Sequence, residues 1–291
     1  MTTPRHGIDV LVVVGVDGLD GESPWYAKKI RKSTAMKEQL QTSGGQWVEF
    51  EWQRGSRLEE FVAALASRQY AVCLFADLMH LGSENYDHDG GDDNDSSDDS
   101  SDDSSGDERA AAHDDHRGDD EHHDDGHDDE DEEDERMFVS LSTAPVSEAL
   151  QSFTRDDGGT VVFCGGGVTD VVLPVVRRVF GLSHWANGSF GGGTYAATEA
   201  AQQWLGQQAP AAFYAGSVSV RGTRDDEQLY TETTSESREV LAAAAGIGSG
   251  RVVFVGDVNG EEATTQLVAA VYARAVAARS AATTTHEKPP R

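Results

Sequence analysis

Apolar positions fall along this chain in two rhythms. Residues 8–14, "IDVLVVV", form a β-branched run, and "AVCLFADL" at 71–78, "TVVFC" at 160–164 and "RVVFV" at 251–255 are further largely apolar runs. Such runs predict strands covered on both faces. "QWVEFEW" at 46–52 alternates apolar with polar and predicts a further strand. Between the runs lie stretches of helical period. Ser23 and Pro24 suit an N-cap and first helical position for a helix over about 24–41, stopped by Gly44 and Gly45. "SRLEEFVAALASRQ" predicts a second helix, residues 146–155 a third, and "TDVVLPVVRRVFG" a fourth that contains Pro174 and closes at Gly181. After a loop, "LSHWANGSFGGG", the pattern loosens. "AAFYAGSVSVRG", "EQLYTETT" and "EVLAAAAG" each suit a short strand, and "ATTQLVAAVYARAVAARS" predicts a terminal helix. The order β-α-β-α-β at the start is that of a parallel sheet with helices on both sides. The expected fold class is therefore α/β, a three-layer α/β/α sandwich with a mostly parallel, flavodoxin-like central sheet.

One segment breaks both rhythms. Residues 87–136 hold 26 of the 52 acidic residues and three arginines, which leaves 26 acids against 20 bases in the other 241 residues. The net charge of −29 thus belongs to one segment. It cannot bury enough apolar surface to offset its ordering entropy, so it predicts disorder. The expected organisation is one domain in two parts, 1–81 and 137–280, with a disordered Asp/Ser/His-rich insertion at 82–136 and a flexible tail at 281–291. Six of the ten histidines, His88, His113, His116, His122, His123 and His127, lie among these carboxylates. They suit weak binding of divalent metals without a fixed site, and no other cofactor is expected. Such a run repels nucleic acid and anionic membrane, so any partner it captures is expected to be basic.

Two cysteines, Cys73 and Cys164, both in apolar runs, are too few for a disulfide framework. With no run long enough to span a bilayer and no cleavage-site pattern, the expectation is a cytoplasmic protein, with the nucleus open, and not a secreted one.

The motifs "ALQSFTRDDGGTVVFCGGG", "FGLSHW", "EQLY" and "GIGSGRVVFVGDVNGEE" come in an order and spacing that resembles the class I glutamine amidotransferase-like superfamily. The likeness is to its trehalose-utilisation (ThuA-like) branch and that branch's eukaryotic relatives. The resemblance covers most of the chain outside 82–136. It implies a nucleophile on a G-x-C-x-G turn and a His–Glu pair after a late strand. Here Val162 replaces the first glycine, and "GDVNGEE" carries Asp257, Glu261 and Glu262 but no histidine. Glutaminase chemistry is therefore not expected.

Three readings of function stay open. In the first, the chain binds a small ligand or a protein partner at the carboxyl edge of the sheet, where open α/β folds bind ligands. Gly165, Gly166 and Gly167 leave backbone amides at a helix N-terminus, and Asp17 and Asp257 each follow a predicted strand at the same edge, where with Glu261 they are expected to converge with Cys164. In the second, Cys164 serves a hydrolase or other enzyme with His184 or Glu261. A thiol with a pKa of about 8.5 needs such help to ionise. In the third, the domain is a scaffold and residues 87–136 bind basic proteins.

Overall fold

The computed structural model describes residues 9–15, 33–42, 44–52, 57–76, 141–165, 168–234 and 239–286. The first strands are β1 (Asp9–Gly15), β2 (Trp47–Trp52) and β3 (Tyr70–Ala76), separated by helices α1 (Thr34–Thr42) and α2 (Leu58–Ala66). Helix α3 (Ala144–Arg155), strand β4 (Thr160–Cys164) and helix α4 (Val168–Phe180) follow. Next come β5 (Ala186–Ala197), α5 (Glu199–Leu205), β6 (Ala212–Arg221), β7 (Gln228–Glu232) and β8 (Val240–Ile247). Strand β9 (Gly250–Val255) and helix α6 (Glu262–His286) complete the order.

The strands form one sheet in the order β2-β1-β3-β4-β9-β8-β6-β5-β7, with β7 also pairing back to β8. Five strands, β2 to β9 in that order, are parallel. Beyond β9 every pairing is antiparallel, and β5, β6, β8 and β7 close on themselves as a small barrel. Five of the nine strand pairings among the described residues are antiparallel. This corrects the expected fold class. The chain is not a mostly parallel three-layer sandwich, and the flavodoxin-like and amidotransferase-like descriptions do not fit it. The physical reason lies in residues 186–255. There β8 and β9 are joined by the two-residue turn Gly248–Ser249, which returns the chain antiparallel, and β5 and β6, joined through α5, pair antiparallel as well. Gly248 takes φ 62°, a conformation that glycine reaches without a Cβ clash.

Each of the continuous runs is buried on both faces, as its composition demands. Leu11, Phe75, Phe163 and Phe254 pack on one side with α2, α3 and α4. Phe75 and Phe163 stack at 5.0 Å between ring centroids. Val12, Leu74, Val162 and Val253 face the other way, against Met36 and Leu40 of α1 and Leu267, Val271 and Tyr272 of α6. Burying each such side chain is worth about 1.5–3 kcal/mol. β8 runs through Ala242–Ala245, all buried. Its small side chains let the barrel close against β9, and burial overrides the helical preference of alanine. No described helix is long and apolar enough to cross a membrane.

Candidate functional site

The carboxyl ends of β4 and β9 lie side by side. Cys164 pairs with Val255. The next residue, Gly165 (φ 130°), donates its N–H to the Val255 carbonyl at 3.1 Å. β9 then runs on as Gly256–Asp257 and is stitched to the barrel. Val218 N–H donates to the Gly256 carbonyl at 2.8 Å, and Val258 N–H donates to the Gly216 carbonyl at 2.8 Å. The Asp257 carboxylate is fully buried and accepts the N–H groups of Asn259 (2.9 Å) and Glu261 (2.8 Å). It thereby shapes the turn that starts α6 and fixes Asn259 over β6.

Asn259 stands where a side chain on Gly216 would go. Gly216 pairs with Gly192 of β5, with Phe190 opposite Val218 on one side of this pair and Thr194 opposite Tyr214 on the other. Alternation puts all six on one face. Their neighbours Ala215, Ser217 and Ser219 on β6 are buried inside, so this face points outward. Phe190 is 78% exposed and Tyr214 63%, the two exposed large hydrophobics among the described residues. The Tyr214 hydroxyl leans back along the strand onto Gly192, into the space a Cβ would fill. The result is an exposed face on which the Tyr214 hydroxyl covers Gly192 and the exposed Asn259 carboxamide covers Gly216, with the Phe190 ring beside them.

The barrel interior is polar and satisfied. Tyr195 and Ser217 share a hydroxyl–hydroxyl bond. Glu239 accepts from Arg221, Ser219 and the Ser189 N–H. Elsewhere on the barrel, Glu227 accepts from His184 Nε2 at 2.8 Å, Trp185 Nε1 at 2.9 Å and Arg224 N–H at 2.9 Å. Burial pushes both carboxyls up, but their donors outweigh it and hold both below the ordinary carboxylate value.

Of the residues expected at the site, Asp257 and Glu261 come together through the hydrogen bond above. Cys164 lies beside Asp257 along the edge, yet its side chain is 0% exposed, in the core with Val162, Ala242 and Leu267. His184 is elsewhere. α4 begins four residues after Cys164, ends four before His184, and carries the chain about 20 Å between them. Asp17, Gly166 and Gly167 lie outside the described residues, as do the histidines of the acidic segment. Among the described residues no three His, Cys, Asp or Glu side chains gather as metal ligands. A separate groove of about 360 Å³ between α1 and α6, bordered by Glu38, Gln39, Gln208 and Gln266, shares no residue with the aromatic face.

Sequence reasoning missed Phe190, Tyr214 and Asn259. The available signal was the alternation Phe190-Gly192-Thr194 inside "GSFGGGTY", which fits a strand as well as a loop.

No family model matches the chain, and no curated protein matches it. Among solved structures, the cytoplasmic protein STM1381 from Salmonella typhimurium LT2 is similar with a TM-score of 0.48 at 10% identity, over 93% of this chain and 98% of that one. The exo-beta-1,4-mannosidase Op5Man5 from Opitutaceae bacterium strain TAV5 is similar with a TM-score of 0.37 at 10% identity, over 97% of this chain and 36% of that one. The antiparallel barrel, with no family model matching, overturns the resemblance to the class I glutamine amidotransferase-like superfamily and its ThuA-like branch. The motifs behind that resemblance are short buried strands flanked by glycine, which burial selects whatever the ancestry.

Proposed function

We propose that this chain is a binding protein that holds a small ligand against the outer face of β5 and β6, beside the carboxyl ends of β4 and β9. One observation carries the reading. Two exposed rings, Phe190 and Tyr214, flank a glycine pair on a face where the neighbouring polar side chain, Asn259, has no hydrogen bond from its carboxamide to a described residue. Exposed apolar surface is costly to keep in water, and a few convergent polar groups beside it are the usual makings of a binding site. Chemistry at Cys164 is not part of this reading. A thiol with no exposed surface lacks the access a nucleophile needs, and the His184 imidazole is already bonded to Glu227.

The test is thermal-shift screening of the full chain against nucleosides, sugar phosphates, dicarboxylic acids and aromatic amino acids. A compound that binds is expected to lose tenfold or more in affinity with Tyr214→Ala or Asn259→Ala and to be indifferent to Cys164→Ala. Binding that ignores the first two variants, or that depends on Cys164, contradicts the reading, as does a blank across all four classes.

A further inference from the structure

Arg251 stands at the amino end of β9, and the strand carries the chain about 13 Å from there to Val255. The place is therefore at the opposite end of the sheet from Asn259. Alternation puts Arg251 on the same face as Val253 and Val255. Helix α6 covers that face through Val271 and Ala275, which bracket Arg274 in the sequence. We infer that Arg251 and Arg274 together form a site for a tetrahedral oxyanion, a phosphate ion or the phosphate of a small monoester.

Arg251 is held in place without being paired. Its guanidinium lies over the Trp204 ring of α5, with Cζ 4.7 Å from the ring centroid, a contact that positions the cation and uses none of its N–H donors. The other half-buried arginines among the described residues all spend theirs. Arg57 donates to Glu60, Arg177 to the Trp185 carbonyl, and Arg279 to the carbonyls of Tyr70 and Arg68. Arg251 and the exposed Arg274 have neither a side-chain hydrogen bond nor an ion pair to any described residue. Burial and the positive charge of Arg274 both lower the Arg251 pKa, while the Asp226 carboxylate, beyond ion-pair distance, opposes them. A charge drawn part-way out of water beside a like charge is costly unless it is paired, and an anion between the two guanidiniums supplies the pairing. A carboxylate has two oxygens, which one guanidinium fork occupies. A phosphate dianion has three and can engage both forks.

The experiment titrates the full ¹⁵N-labelled chain with inorganic phosphate, methyl phosphate and acetate in chloride at constant ionic strength. The arginine Nε–H and tryptophan indole N–H resonances report binding. Phosphate is expected to shift Arg251, Arg274 and Trp204 saturably, with acetate at least tenfold weaker. Methyl phosphate that binds as tightly as phosphate supports a monoester as the ligand, and phosphate binding alone supports the free ion. Arg274→Gln and Arg251→Lys are each expected to weaken phosphate by tenfold or more. Arg274 is exposed and unpaired, so Arg274→Gln is expected to keep the unfolding temperature of the unsubstituted chain, which separates lost binding from lost folding. Shifts that do not saturate, acetate that binds as tightly as phosphate, or Arg274→Gln that binds phosphate as well as the unsubstituted chain overturns the inference.

Discussion

Glu227 shows how much one buried carboxylate can organise. It joins His184, Trp185 and the Arg224 backbone at a place where the chain would otherwise leave a buried indole N–H without an acceptor. Its folded pKa is lowered from an ordinary value of 4.5. The stability it contributes is therefore complete above about pH 4.5 and is lost as pH falls through the lower folded value. Replacing it with glutamine is expected to cost about 1–3 kcal/mol at neutral pH, because at least one buried donor loses its acceptor. It also removes part of the acid-side decline in stability. Urea unfolding of Glu227→Gln at pH 7 and pH 4 checks both. An unchanged midpoint at pH 7 contradicts this account of the cluster. Cys164 makes the opposite prediction. Its thiol and that of Cys73 are both 0% exposed, and burial pushes the Cys73 thiol up. Neither is expected to react with iodoacetamide at pH 8 until the protein unfolds, as read by mass spectrometry of the native chain.

At the scale of single elements, the turn from β9 into α6 depends on Asp257. Asp257→Ala leaves two backbone N–H groups of a part-buried turn without their acceptor and is expected to destabilise by about 1–3 kcal/mol. A thermal-melt loss well under that range means that water replaces the carboxylate. Elements like this one separate what could be read in advance from what could not. The buried runs over β1, β3, β4 and β9, and the periods of α2, α3, α4 and α6, lie within a few residues of where the sequence predicts them. β5 is different, because six residues of "GSFGGG" look like a loop to any propensity argument. Gly188, Gly192 and Gly193 are strand residues, each lacking a side chain where Ser219 and Glu239, Tyr214, or Glu232 already fills the space. That close approach is a tertiary fact, invisible in the local pattern. The candidate site shared this fate. Asp257 and the end of β4 were legible as the carboxyl edge, whereas Phe190 and Tyr214 sit on the misread strand and its partner. The short helix α5 was missed as well, since seven residues seldom carry a clear period.

For the whole molecule, a nine-stranded sheet that is parallel at one end and closed into a barrel at the other should not be uniformly stable. β3, β4, β9 and most of β8 are buried along their length. Among the described strands, β2 has a neighbour on one side alone. Native-state hydrogen exchange is expected to be slowest at 72–75, 161–163, 241–245 and 252–255, and faster in β2. Equal protection in β2 and β4 contradicts this division. The central claim concerns the outer face of the barrel, and amide chemical-shift mapping with the strongest-binding compound of the screen tests it most directly. The account predicts a contiguous set of shifts at Phe190–Thr194, Tyr214–Gly216 and Val258–Asn259. Shifts confined to His184, Trp185 and Glu227, or to the groove between α1 and α6, would contradict it.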